Sequence, residues 1–198
     1  MLIVFVGIPG SGKSSTVKEL ANLLKVKYFA EPEEEKWADA AKDWKTYGSF
    51  PMLIEAERLS EEGETILIDT YYDKLLYYYI DKYCMRWLLS PSDRYFPVMK
   101  EIAAIDKDVL PDADIMVFFE VKKEDWINFL KNRNRPTDNE EVFLKNFETQ
   151  RFLLEAAQKL CKEKNIELII FPCDTASPED SALSLKKILE EKLQQNKK

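Results

Sequence analysis

The chain has no histidine, three cysteines and only five glycines among its 198 residues. Without histidine there is no Ser-His-Asp triad and no imidazole ligand for a metal. Cys84, Cys161 and Cys173 are an odd set without the paired spacing of a zinc site, so they read as reduced thiols of a cytoplasmic protein. Basic residues are also short: 29 Lys and Arg against 36 Asp and Glu leave a formal net charge of -7, which works against binding a nucleic acid polymer through its phosphates. No apolar run approaches the roughly 20 residues that span a bilayer. The opening "MLIVFV" stops at Gly7 without a basic leader or a cleavage site, so no membrane association is expected. Nor is there a linker rich in Gly, Pro or Ser, and residues 1–198 are expected to form a single domain.

What the chain does have is alternation. Short apolar runs, "LIVFV", "VKYFA", "TILI", "IMVFF" and "ELIIF", have the length and composition of buried strands. Segments of helical character separate them. Val17, Leu20, Ala21 and Leu24 share a face of the segment Lys13 to Leu24. A long segment from Val142 to Lys164 carries Phe143, Phe147, Phe152, Leu154 and Leu160. Strand and helix in alternation predict an α/β fold, a parallel sheet with helices on both faces. The tail "EEKLQQNKK" has a single apolar anchor and is expected to fray.

The scarce glycines cluster where the first strand ends. "GIPGSGKS", Gly7 to Ser14, fits G-x-x-x-x-G-K-[ST] directly between an apolar strand and an amphipathic helix. Glycines at 7, 10 and 12 let the backbone turn its N–H groups inward and admit a phosphate closely. The helix that follows adds the positive end of its dipole. Lys13 can reach the β- and γ-phosphates and the Ser14 hydroxyl can ligate Mg²⁺. The expected ligand is Mg-ATP, contacted by Gly7, Gly10, Ser11, Gly12, Lys13, Ser14 and Ser15.

The ordered set "GIPGSGKSSTVKEL", "AEP", "PMLIEAERL", "GETILIDTYYDKLLYYY", "LPDADIMVFFEV", "LKNRNRPTDNEE" and "IELIIFPCD" resembles the successive motifs of the thymidylate kinase and deoxynucleoside kinase superfamily of P-loop kinases. The resemblance runs over nearly the whole chain. It implies a three-layer α/β/α fold around a five-stranded parallel sheet, and a lid, here approximately residues 131–141, that closes over the phosphates. Glu31 falls on the family's Glu-Pro motif and is implied to be the base facing a sugar 5′-hydroxyl. Its place after a parallel strand agrees with that role. Glu33, Glu34 and Glu35 follow Pro32 and suit a solvated first helical turn. The resemblance further implies that Trp37 walls the base pocket, one position later than in the family, and that Arg58 contacts substrate. It also implies that Tyr71 or Tyr72 borders the acceptor and that Asp69 holds Mg²⁺ through water; a capping aspartate is the other reading of Asp69. Lys131, Arg133 and Arg135 are cations of the lid, Arg133 and Arg135 being the ones that embrace the transferring group. Thr70 departs from the family, which has arginine there, and the departure bears on the acceptor.

Two classes of function follow. One is ATP-dependent phosphoryl transfer to a small acceptor, with a (deoxy)nucleoside ahead of a nucleoside monophosphate. The other is a nucleotide-binding regulatory module without transfer. Aromatic helices can serve a homodimer or the core of a monomer. If Glu31 is the general base, Glu31→Gln lowers turnover by roughly 10²- to 10⁴-fold in a coupled ADP-release assay. Unchanged turnover would move the role to another carboxylate.

Overall fold

The computed structural model describes residues 1–30, 50–71, 92, 94, 96–133, 147–174 and 177–195. All five apolar runs are strands. β1 is Leu2–Gly7, β2 Lys27–Phe29, β3 Ile66–Ile68, β4 Ile115–Val121 and β5 Glu167–Cys173. They form one parallel sheet in the order β2-β3-β1-β4-β5. The helices are α1 Lys13–Leu24, α2 Phe50–Glu61, α3 Phe96–Val109, α4 Lys123–Arg133, α5 Thr149–Lys164 and α6 Pro178–Gln195.

The strand order fixes the layers. Crossovers between parallel strands are right-handed, so the step from β1 out to β2 puts α1 on one face. The return step to β3, and those on to β4 and β5, put α2, α3 and α5 on the other. α6 packs along α1, and α5 lies against β1, β4 and β5. The result is the three-layer α/β/α arrangement. Every residue of β1 is buried, as the central strand of a sheet covered on both faces must be. β5 at the edge alternates instead, leaving Ile170 exposed.

The helical faces follow their apolar spacing. Val17, Leu20 and Ala21 of α1 are buried, as are Leu53, Ala56 and Leu59 of α2. The expected fraying of Glu190 to Lys198 is overturned as far as Gln195. Leu185 and Leu189 seat the helix in the core, and Lys192 pairs with Glu167 of β5 at 2.5 Å, so the last turns have tertiary partners that a single apolar anchor did not suggest.

Parallel strands place all their carboxyl ends along one edge of the sheet. β1 and its neighbour β3 diverge there, because their connections leave on opposite faces, and the crevice between them is where ligands of such sheets bind. The opposite edge is tied by Asp114, whose Oδ2 accepts from the Leu2 N–H at 2.6 Å. Near it, the buried Tyr71 hydroxyl donates to the Pro111 carbonyl at 2.8 Å and accepts from the Ala113 N–H at 3.1 Å.

Tyr71→Phe strips both backbone groups of their partner and is expected to cost about 1–3 kcal/mol in urea denaturation, with an unchanged m-value. A loss below about 0.5 kcal/mol would mean that water replaces the hydroxyl.

Candidate active site

The connection between β1 and α1 is a tight glycine loop. Gly10 and Gly12 have φ of 81° and 79°, a region that residues with a Cβ rarely enter. Gly10 also has no room for one: a Cβ there would lie 2.5 Å from Leu130 Cδ2. Gly12 is the N-cap of α1, contributes no side-chain cap, and the first turn carries no acidic residue. The N-terminal N–H groups of α1 thus have no side-chain cap from Gly12 and no carboxylate in their own turn, a setting in which the helix dipole favours an anion.

Lys13 begins α1 but turns toward β3. It is only 7% exposed, and Asp69, one residue beyond the end of β3, is 1% exposed. Lys13 Nζ donates to the Asp69 carbonyl at 2.8 Å and forms an ion pair with Asp69 Oδ1. The other carboxylate oxygen, Oδ2, accepts from the Tyr28 hydroxyl of β2 at 3.3 Å. The head of α1, the residue after β3 and strand β2 thus deliver Lys13, Asp69 and Tyr28 to one buried cluster. A buried pair of this kind is costly to break by removing one member.

Two further elements brace the loop. The Trp126 indole N–H of α4 donates to the Pro9 carbonyl at 2.9 Å. Cys173, the last residue of β5, donates its thiol to the Ser11 carbonyl at 3.1 Å. Burial, with the nearby Asp174 carboxylate adding to it, pushes the Cys173 thiol up to about 11, so it stays protonated and able to donate at neutral pH. Ser11 Oγ is buried and has no hydrogen-bond partner among the described residues. Beside Cys173 a cleft of 220 Å³ is lined by Glu120, Val121, Lys122, Gln150, Pro172 and Asp174. Gln150 clasps both backbone groups of Val121 at 2.9 Å.

No protein-family model matches this sequence, and no curated protein does. Solved structures do. Three structures of a deoxyadenosine kinase from M. mycoides, each 17% identical, match 96% of this chain and 100% of their own. The one with the products dCMP and a flexible dCDP has a TM-score of 0.60, the one with dATP 0.58 and the one with dCTP 0.57. The chain has a deoxynucleoside kinase fold.

On that kinase fold the expected site residues separate into groups. Gly7, Gly10, Ser11, Gly12, Lys13, Ser14 and Ser15 form the loop and the first turn of α1, with Ser14 and Ser15 exposed at its mouth. Asp69 joins them through Lys13. Its carboxylate is engaged by Lys13 and Tyr28, and among the described residues no cluster of three acidic or cysteine side chains could hold a metal ion. Arg58 does not join the site. Its guanidinium forks onto Glu55 at 2.7 and 2.9 Å and pairs with Glu62 on the exposed side of α2. That end of the helix leads to Glu64, which meets Lys27 and the amino terminus at the amino edge of the sheet, opposite the loop. Hydrogen bonding to Glu55 raises the Arg58 pKa further, as an ordinary surface pair does. Tyr71 is buried with its hydroxyl on Pro111 and Ala113, so its ring belongs to the core and not to an acceptor surface. Glu31, Trp37, Tyr72 and Arg135 lie outside the described residues, as does the lid beyond residue 133; Arg133 is the last residue of α4.

Sequence reasoning missed Tyr28, Trp126, Leu130 and Cys173. Cys173 ends β5 and Trp126 sits in the first turns of the helix after β4, positions that could have signalled them once the strands were assigned; Tyr28 within β2 and Leu130 a turn further along α4 carried no such signal.

The raised Cys173 pKa carries a sign. A neutral thiol preferred in the folded state adds stability that is complete below the ordinary thiol pKa and is lost as pH rises from 9.0 toward about 11. At pH 8, iodoacetamide is expected to label Cys173 only after unfolding, read by peptide mass spectrometry. Fast labelling of the folded protein would show that the thiol is not held on Ser11.

Proposed function

We propose that this protein transfers the γ-phosphoryl group of ATP to a small acceptor of the deoxynucleoside class. The observation that carries the reading is the loop itself: left-handed glycines, a helix N-terminus free of competing carboxylates, and a buried lysine at its head, set at the carboxyl edge of a kinase fold.

In this reading the backbone N–H groups of the loop cradle the phosphates. Lys13 leaves Asp69 for the β- and γ-phosphoryl oxygens, exchanging one anionic partner for another in a site where water competes poorly. Ser14, exposed in the first turn, suits a Mg²⁺ ion, which needs few protein ligands because the phosphates and water supply the rest. The ion would neutralise charge on the phosphates. Asp69, once released by Lys13, is available to orient water near it. Ser11 Oγ, buried without a partner among the described residues, fits a loop whose polar ligand completes it. Glu31 follows the short strand β2 by two residues and is assigned as the base that accepts the acceptor hydroxyl proton. Arg133 and Arg135 are assigned to the lid over the transferring group, and Trp37 and Tyr72 to the acceptor pocket.

The deoxyadenosine kinases matched in fold favour a deoxynucleoside over a monophosphate as acceptor. The decisive assay measures ADP release from Mg-ATP against a panel of ribo- and deoxynucleosides and their monophosphates. Stimulation by one deoxynucleoside, reduced at least 10²-fold in Glu31→Gln, is the expected result. Tight Mg-ATP binding with no stimulation by any acceptor would instead favour a binding module without transfer.

A further inference from the structure

α4 does more than lead toward the lid. Its Trp126 is 1% exposed, and its indole N–H reaches 117 residues back along the chain to the Pro9 carbonyl in the first half of the glycine loop. One turn later Leu130, 6% exposed, fills the space above Gly10 so closely that a Cβ on Gly10 would overlap it. On its other side the Trp126 ring contacts Phe147, at 5.4 Å between centroids. Gly10 takes its φ of 81° directly beneath these two side chains. The loop therefore cannot open or shift without moving the indole, and the indole is rigidly part of the helix that ends at Arg133.

We infer that Trp126 is a positioning residue: its N–H to the Pro9 carbonyl holds the loop in its anion-ready form and ties loop occupancy to the placement of α4. The inference rests on the glycine loop being a phosphate site. Other residues could fill the same volume, but only a donor at this position can hold the carbonyl. Pro9 itself is exposed, so its carbonyl is satisfied by water once the indole is gone and the fold need not suffer. What is lost is the preorganisation of the loop.

The test compares wild type with Trp126→Phe, which keeps an aromatic ring against Phe147 and Leu130 and removes the donor. Mg-ADP and Mg-pyrophosphate are titrated by calorimetry, and thermal unfolding is recorded for both proteins. In parallel, protein labelled with 5-fluorotryptophan is followed by fluorine NMR, the Trp126 resonance being the one absent from Trp126→Phe. The expected result is a loss of about tenfold in affinity for both ligands, the size of one hydrogen bond, with the folded baseline and cooperative unfolding retained. The Trp126 resonance of wild type shifts on addition of either ligand. If wild type binds Mg-ADP while Trp126→Phe binds it equally well, or the resonance stays fixed, the positioning role is overturned and the phosphate site stands. If wild type binds neither ligand, the phosphate-site reading fails and the inference falls with it. If Trp126→Phe does not fold, Trp126→Leu and the wild-type resonance decide: a resonance unmoved by bound ligand overturns the proposal.

Discussion

An ammonium group removed from water needs a compensating charge, and Lys13 finds it in Asp69. Much of the site depends on this pair. It requires that β1 and β3 be neighbours and that both end at the same edge, which a parallel sheet guarantees and an antiparallel one would not. It recruits Tyr28 from β2, whose hydroxyl takes the carboxylate oxygen that Lys13 leaves. The consequence for the proposed function is direct: on that reading an arriving polyphosphate would replace one counter-charge by another, and the lysine is already out of water.

The second constraint is steric. The glycine loop is held from both sides, by Trp126 and Leu130 of α4 over Pro9 and Gly10, and by Cys173 of β5 against Ser11. Such a loop has little freedom to collapse on itself, because side chains from two distant segments pack against it. The same packing forces glycine at position 10, where the left-handed backbone and the contact with Leu130 act together. The thiol at 173 is suited to its place because burial keeps it neutral, so it donates to the Ser11 carbonyl without bringing charge to the loop.

The contrast between Arg58 and Lys13 shows why cations near a kinase-like motif are not equivalent. Lys13 was expected on the phosphates of ATP and Arg58 on the substrate. Lys13 is buried and tied to the end of β3, whereas Arg58 is satisfied locally by Glu55 in its own helix and Glu62 just past the helix end, three and four residues away. A charge already matched in water has little drive to leave it. Helix direction settles the matter, since the carboxyl end of α2 runs to the amino edge of the sheet, away from the loop.

Sequence alone was enough for the five strands, for α1 from Lys13 to Leu24 and for the glycine loop, because these rest on local rules: apolar runs of strand length, helical periodicity, and glycines where φ must be positive. Asp69 was singled out only through the family resemblance, and its pairing with Lys13 was not foreseen. The helix expected from Val142 was legible only from Thr149 onward among the described residues. Tertiary structure alone decided that Lys13 meets Asp69 across 56 residues, that Trp126 and Cys173 brace the loop, that Tyr71 turns into the core and that Arg58 stays on the surface. These are contacts between chain segments far apart in sequence, set by strand order and by the face each helix takes. No local pattern of residues encodes either.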